Sequence, residues 1–196
     1  MKNLSPPIAI PIHSTFGNTA TLAQSVCDGI QTGGLAAQIL PIQPQQLGAQ
    51  GWHDEAVMNT LIAAPAIIFG APTYMGGVSG LYKMFLDSTG LLWQDMRFKD
   101  KLAGGFTTSS RSSGDKSSSL AYLITYAMQM RMLWIGTAEP DDLLTGKQAG
   151  IDRFGFYGGA VGQGSMAPDW AMPQGDLATA HAYGLRIAQA VKRWGV

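Results

Sequence analysis

The stretch Ala66–Trp93, AIIFGAPTYMGGVSGLYKMFLDSTGLLW, constrains the fold of this chain more than any other. Its opening run, Ala66-Ile67-Ile68-Phe69, is wholly apolar, the pattern of a parallel strand covered on both faces. The strand is expected to stop at Gly70. A loop of turn formers follows, Ala71-Pro72-Thr73-Tyr74-Met75-Gly76-Gly77. Ser79 then stands as a helix N-cap, with Leu81, Met84 and Phe85 on one helical face. Strand, exposed loop and helix make a βα unit, and in an open α/β sheet the loop after a strand is where ligands sit. Pro72 stiffens that loop, Gly76 and Gly77 let backbone approach a flat partner, and Tyr74 and Trp93 offer aromatic faces. The same residues equally suit an ordinary βα connection with a core tyrosine.

The rest of the chain repeats the alternation. Ile8–His13 reads as a strand blemished by Pro11, since a central strand has no place for proline. Leu22, Ala23, Val26, Cys27 and Ile30 mark a helix ended by Gly33-Gly34. Ala36–Ile42 is a second strand, residues 43–53 a Gln/Gly-rich loop, and Asp54–Ala63 a short helix. Leu102–Thr107 is a fourth strand and Met132–Gly136 a fifth. Between them the polar run Thr107–Ser119 leads into the apolar helix Leu120–Met130; lying between a strand and a helix, it reads as a binding loop rather than a linker. Residues 137–153 form an irregular, Asp-bearing excursion, and Phe156–Val161 extends the sheet edge. Leu177, Ala180, Gly184, Ile187, Val191 and Trp194 recur at steps of 3 and 4 in a closing amphipathic helix. Alternating strands and helices without a linker or repeat imply a single α/β domain over residues 1–196, a doubly wound parallel sheet.

Composition narrows the function. Thirteen Lys and Arg balance thirteen Asp and Glu, so no net field draws the chain to nucleic acid or an anionic membrane. Charged residues are 13 % of the chain, against roughly 25 % in typical domains. With 25 Gly and 46 % hydrophobic residues, part of the exterior is expected to be buried in a homo-oligomer. The single cysteine, Cys27, excludes an internal disulfide and sits on an apolar helix face as core rather than as a reactive thiol. No run approaches the ~20 apolar residues of a membrane span, and no signal peptide is read, so a cytoplasmic location is expected. His13, His53 and His181 stand apart in sequence, and neither H-x-x-x-H nor CxxC occurs, so no metal is expected. The GxSxG elbow of a hydrolase is missing as well.

The first loop is a second anchor. Ser14, Thr15 and Thr19 supply hydroxyls, and Gly17-Asn18 suits a tight turn whose N–H groups point at one spot, at the N-terminus of the first helix. No Lys or Arg stands in it, so it suits a terminal phosphate held by neutral donors. It is neither a GK[ST] P-loop nor a GxGxxG fingerprint. In the flavodoxin-like strand order 2-1-3-4-5, the loops Ser14–Thr19, Ala71–Ser79 and Thr108–Gly114 share the carboxyl edge beside the switch point. The first holds a phosphate and the others sandwich a flat ring, the geometry of a flavin mononucleotide (FMN) site.

These residues resemble those of the flavodoxin-like NAD(P)H:quinone oxidoreductases of the WrbA type. Gly70-Ala71-Pro72-Thr73, Ser79-Gly80 and Phe85-Leu86-Asp87-Ser88-Thr89-Gly90-Leu91-Leu92-Trp93 are similar to that family's GTPT…SG…FLDQTGGLW. Ser14-x-x-Gly17 resembles its phosphate loop and Phe106-Thr107-Thr108-Ser109 its third loop. The resemblance implies a five-stranded flavodoxin-like sheet, FMN as cofactor, NAD(P)H as co-substrate, a quinone-like acceptor, and dimers or tetramers. It places Ser14, Phe16, Gly17, Asn18 and Thr19 at the phosphate. Pro72, Thr73, Tyr74, Met75 and Gly76 fall along the ring, and Thr108, Ser109, Ser110 and Gly114 at its other edge. Trp93, with Phe16, falls at the acceptor. Met130 stands where the family has a histidine near the flavin, and Arg131 where it has glycine. Tyr74-Met75 replace an Arg-Phe pair, and Ser110-Arg111-Ser112-Ser113-Gly114 replaces a glycine-rich run. No acid–base residue is assigned, because the flavin carries the chemistry. Two other classes remain open: a one-electron flavodoxin carrier, whose acidic surface is at odds with a formal net charge of 0, and a flavin-free adaptor.

Overall fold

A computed structural model describes residues 5–138, 146, 150–167 and 169–195. Most of the excursion expected over 137–153 lies outside the described residues. Strand β1 (Ile8–Ile12) leads to α1 (Asn18–Thr32) and β2 (Ala37–Pro41). The Gln/Gly-rich loop holds a small hairpin, β3 (Leu47–Gly48) with β4 (Gly51–Trp52), before α2 (Glu55–Ala63), which Asp54 caps by accepting from the Val57 N–H at 3.0 Å. Then come β5 (Ala66–Tyr74), β6 (Gly77–Val78), α3 (Gly80–Ser88), α4 (Gly90–Gln94) and β7 (Leu102–Ser109). The chain closes through α5 (Lys116–Gln129), β8 (Leu133–Trp134), β9 (Ala160–Gln163) and α6 (Gln174–Trp194).

The main sheet runs β2-β1-β5-β7-β8 with parallel neighbours, the doubly wound flavodoxin-like order expected from the alternation. Its fifth position is shared. β8, shorter than the strand expected over Met132–Gly136, pairs only Leu102 and Ala103, and β9 takes over beside Phe106–Ser109.

Side-chain alternation divides the core. Ile67, Phe69 and Ala71 face one side with Tyr82, Phe85, Leu123 and Tyr126. Ile8, Ile10, Ile68 and Phe106 face the other with Leu22, Val26, Tyr183 and Ile187. Cys27 belongs to this second layer as a buried thiol whose pKa burial raises. On that side α1 and α6 touch backbone to backbone. A Cβ at Gly29 would strike the His181 carbonyl, and one at Gly184 the Val26 carbonyl.

Two details depart from expectation. β5 does not stop at Gly70 but continues through Ala71, Pro72, Thr73 and Tyr74, pairing Ala71 with Thr107 and Pro72 with Thr108. Pro72 is tolerated because β1 has ended by then, its last pair on that side being Ile12 with Gly70, so the missing N–H faces an open edge. Pro11 does lie in a central strand. There the Tyr82 hydroxyl enters the β1–β5 ladder, donating to the Pro11 carbonyl at 2.8 Å and accepting from the Gly70 N–H at 3.1 Å. The Tyr183 hydroxyl performs the same service from the opposite face, where β8 gives way to β9. It accepts from the Gly105 N–H at 3.0 Å and donates to the Ile135 carbonyl at 2.6 Å. Both repairs leave buried backbone groups satisfied. Among the described residues no helix is long and apolar enough to cross a membrane.

Candidate functional site

A cleft of about 310 Å³ opens at the carboxyl ends of β1, β5 and β7. The first, second and third loops supply three walls, as the sequence predicts. At the first, α1 begins behind Gly17, whose φ of 84° is left-handed and carries no side chain into the space. The Ala20 N–H donates to Ser14 Oγ at 3.1 Å. Among the described residues, the N–H groups of Gly17, Asn18 and Thr19 donate to nothing, leaving a cluster of free donors at the positive end of a 15-residue helix.

The side chains here act differently from expectation. The Asn18 amide is committed away from the cleft floor, donating to the Ser165 carbonyl at 2.8 Å and accepting from its N–H at 3.3 Å. Thr19 Oγ1 pairs with Thr108 Oγ1 at 2.8 Å, tying the first loop to the third. Thr73 is also turned inward, its Oγ1 at 2.8 Å from both Thr107 Oγ1 and Ser119 Oγ. These residues line the cleft but spend their side chains on holding its walls together.

The second wall is the tip of β5. Met75, with φ 48°, and Gly76, with φ 78°, turn the chain back so that Gly77 and Val78 pair antiparallel with Tyr74 and Thr73. Tyr74, Met75 and, across the mouth, Phe16 are exposed apolar groups at the rim. Ser79 occupies the N-cap position of α3, as expected, but makes no capping bond; its Oγ lies 2.6 Å from His13 Nδ1. Burial lowers the pKa of that imidazole.

The third wall, Thr108–Asp115, is narrower than the expected run because residues 116–119 form the first turn of α5. Arg111 and Asp115 are the charged residues lining the cleft, among the described residues. A fourth wall, Gly164-Ser165-Met166, was not expected. Its signal was present: Ala160-Val161 followed by Gly-Gln-Gly-Ser has the apolar-then-small-polar pattern that marks the other loops.

Trp93 and Met130 do not join the cleft. Both line a separate groove of about 320 Å³ with Lys83, Asp87, Thr89 and Tyr122. For Met130 the reason is length: the 14 residues of α5 run about 21 Å from the cleft edge toward the opposite end of the sheet. Met130 is buried there, whereas Trp93 is 42 % exposed beneath the Arg131 guanidinium, 5.8 Å from its ring.

A parallel sheet in this order, with a neutral anion cradle and a slot between two loops at the switch point, defines a flavodoxin-like protein. The profile of the NADPH-dependent FMN reductase family matches residues 14–140, and the chain belongs to that family. It is 35 % identical to "Flavodoxin FldP" of Pseudomonas aeruginosa, over 90 % of this chain and 91 % of that one. It is 29 % identical to an "NAD(P)H dehydrogenase (quinone)" of Archaeoglobus fulgidus, covering 95 % and 97 %. Among solved structures, the flavodoxin, WrbA-like protein from Agrobacterium tumefaciens superposes with a TM-score of 0.72 at 33 % identity, covering 96 % of this chain and 99 % of that one.

Proposed function

We propose that this chain is an FMN-dependent oxidoreductase that uses NAD(P)H to reduce a quinone-like acceptor. Overall, one hydride from NAD(P)H and one proton from solvent convert the quinone to the hydroquinone. The observation that carries this reading is the row of free N–H donors at Gly17, Asn18 and Thr19 beside a slot open enough for a flat ring. A phosphate with no basic side chain in its loop needs this kind of cradle.

Bound FMN supplies the two-electron chemistry; the residues bind and orient it. Ser14 and the three N–H groups hold the phosphate, and a side chain at Gly17 would stand over them. Pro72, Thr73, Tyr74, Met75 and Gly76 border one edge of the ring, and Thr108, Ser109, Ser110 and Gly114 the other. Phe16 and Tyr74 at the rim give an incoming planar substrate aromatic surface to stack on. Donor and acceptor use the same open face in turn. The protein works in the cytoplasm as a dimer or tetramer, burying the apolar side chains exposed around Trp93: Leu91, Met96 and Met128. Trp93 and Met130 lie far from their own chain's cleft, so they reach an acceptor only at the cleft of a neighbouring copy.

A visible spectrum of the purified protein showing flavin bands, followed by steady-state kinetics with NAD(P)H and benzoquinone, tests the reading. Parallel double-reciprocal lines are expected. The likeness to a flavodoxin favours one alternative, a one-electron carrier. Bound FMN that neither nicotinamide reduces would select that alternative, and a protein that binds no flavin would overturn both.

A further inference from the structure

Lys116 is wholly buried at the first position of α5. Two effects oppose a cation there: burial strips its water, and the positive end of the helix dipole repels it. The structure answers with the loop in front. Nζ donates to the carbonyls of Arg111 at 2.7 Å, Ser112 at 2.8 Å and Ser113 at 3.4 Å, and sits 4.6 Å from the centre of the Phe154 ring. The Arg153 guanidinium stacks on Phe154 at 4.0 Å and is itself held by Asp176, 2.6 Å from Nε.

We propose that Lys116 is the positioning residue of the FMN site's third wall: its ammonium gathers three loop carbonyls inward and thereby turns the intervening N–H groups outward, that of Gly114 at the cleft wall. In a trans peptide the N–H points opposite to the C=O, so the N–H groups of Ser112, Ser113 and Gly114 face away from Nζ. Among the described residues those three donate to nothing, and Gly114 lines the cleft. Arg111, Ser112 and Ser113 are exposed and Gly114 has no side chain, so apart from Lys116 Nζ the loop is fixed by single bonds: Ser109 Oγ donates to the Arg111 carbonyl at 3.0 Å and the Lys116 backbone N–H to the Ser113 carbonyl at 3.3 Å. The Gln163 amide adds a further hold, donating to the Ser110 carbonyl at 3.2 Å. The inference rests on the FMN reading above.

The hold depends on protonation. Burial pushes the Lys116 ammonium down to about 8; Asp176 on α6 opposes that shift and Arg153 adds to it. These are the charged groups facing it from the neighbouring elements, while Arg111 and Asp115 belong to its own segment. Above that pH the charge leaves and the carbonyls keep weaker donors.

The test is fluorescence titration of the cofactor-free protein with FMN across roughly pH 7 to 9.5. The parent protein should bind evenly up to about pH 8 and then weaken by up to about tenfold per pH unit. Lys116→Met should weaken binding about tenfold or more at pH 7 and show no such limb. Lys116→Arg, whose charge persists, should hold neutral-pH affinity within about threefold and also lack the limb. Ionisation of the flavin imide is common to all three and cancels in the comparison. Equal affinities, or parallel pH profiles in the parent and Lys116→Met, would overturn the proposal. Backbone amide and carbonyl chemical shifts of the cofactor-free proteins separate the two readings. If the parent binds no FMN, the functional reading fails. Unchanged shifts over residues 110–115 in Lys116→Met overturn the role of Lys116 whether or not FMN binds.

Discussion

Replacing Tyr82 by Phe removes one oxygen and keeps the ring, which packs 5.3 Å from Phe85 in the core. That oxygen bridges the Gly70 N–H and the Pro11 carbonyl, and the residue is fully buried. Without it, two buried backbone groups face each other across a gap opened for a hydroxyl. Leaving a buried donor or acceptor unpaired costs about 1–3 kcal/mol each, and some closing of the strands recovers part of that. The expected loss is about 2–4 kcal/mol, or roughly 4–16 °C of melting temperature for a chain of this size. Urea unfolding should show a lower midpoint at an unchanged m-value. FMN affinity should fall with it, since Pro11 and Gly70 stand just before the residues that enter the first and second walls. A loss below about 0.5 kcal/mol would refute the argument, showing that the ladder closes on its own across a proline.

Gly17→Glu should abolish measurable FMN binding while the fold persists at some cost in stability: an added Cβ meets no atom within 4 Å, the φ of 84° disfavours any side chain, and the carboxylate brings negative charge to the free N–H groups. An unchanged FMN titration would sink the phosphate assignment. The pH profile of thermal stability should rise and then fall. Lys116, pushed down to about 8, and Lys101, also lowered by burial, release protons from the native state before the unfolded state does. The unfolded state then binds more protons, and stability climbs from about pH 8, opposed from about pH 9 by the Cys27 thiol, which burial raises. Burial holds the hydroxyls of Tyr82, Tyr126 and Tyr183 above the ordinary value of 10, so past that pH the native state retains protons the unfolded chain loses, and stability declines. Melting curves across this range that fall steadily from pH 8 would contradict it. Light scattering at micromolar concentration should give a dimer or tetramer mass, and a clean monomer would remove the oligomer.

The elements and their order are legible because they rest on local periodicity. Apolar runs at 66–69 and 102–107, and the 3-and-4 spacing from Leu177 to Trp194, need no distant information. What escapes local reading is fixed by partners far along the chain. Pro11 spoils a strand until Tyr82, 71 residues later, supplies an oxygen. Pro72 reads as a loop residue because nothing nearby in sequence says that the neighbouring strand has ended. Ser79 reads as a cap because His13 is 66 residues away. Asn18 and Thr19 read as phosphate donors, yet their side chains meet Ser165 and Thr108 across 147 and 89 residues. In each case the residue type is plain in the sequence, and the partner that decides its role is not.

Trp93 and Met130 carry the same lesson to a larger distance. By resemblance Met130 belongs near the flavin and Trp93 at the acceptor, and by geometry both lie in a groove at the far end of α5. The two statements conflict only if one chain makes the whole site. A helix spanning the sheet cannot place its first turn against the cleft and its last residue there as well. The proposed oligomer would remove the conflict: if the groove of one copy met the cleft of another, residues remote within a chain would become neighbours between chains. The exposed apolar groups Leu91 and Met96 near Trp93 in sequence would supply contact area for that meeting. The consequence is specific. Leu91→Glu, placed on this face at a residue 75 % exposed in one chain, should dissociate the oligomer, leave FMN affinity within about twofold and lower quinone turnover. If turnover survives in a variant that light scattering shows to be monomeric, each chain completes its own acceptor site, and neither Trp93 nor Met130 belongs to it.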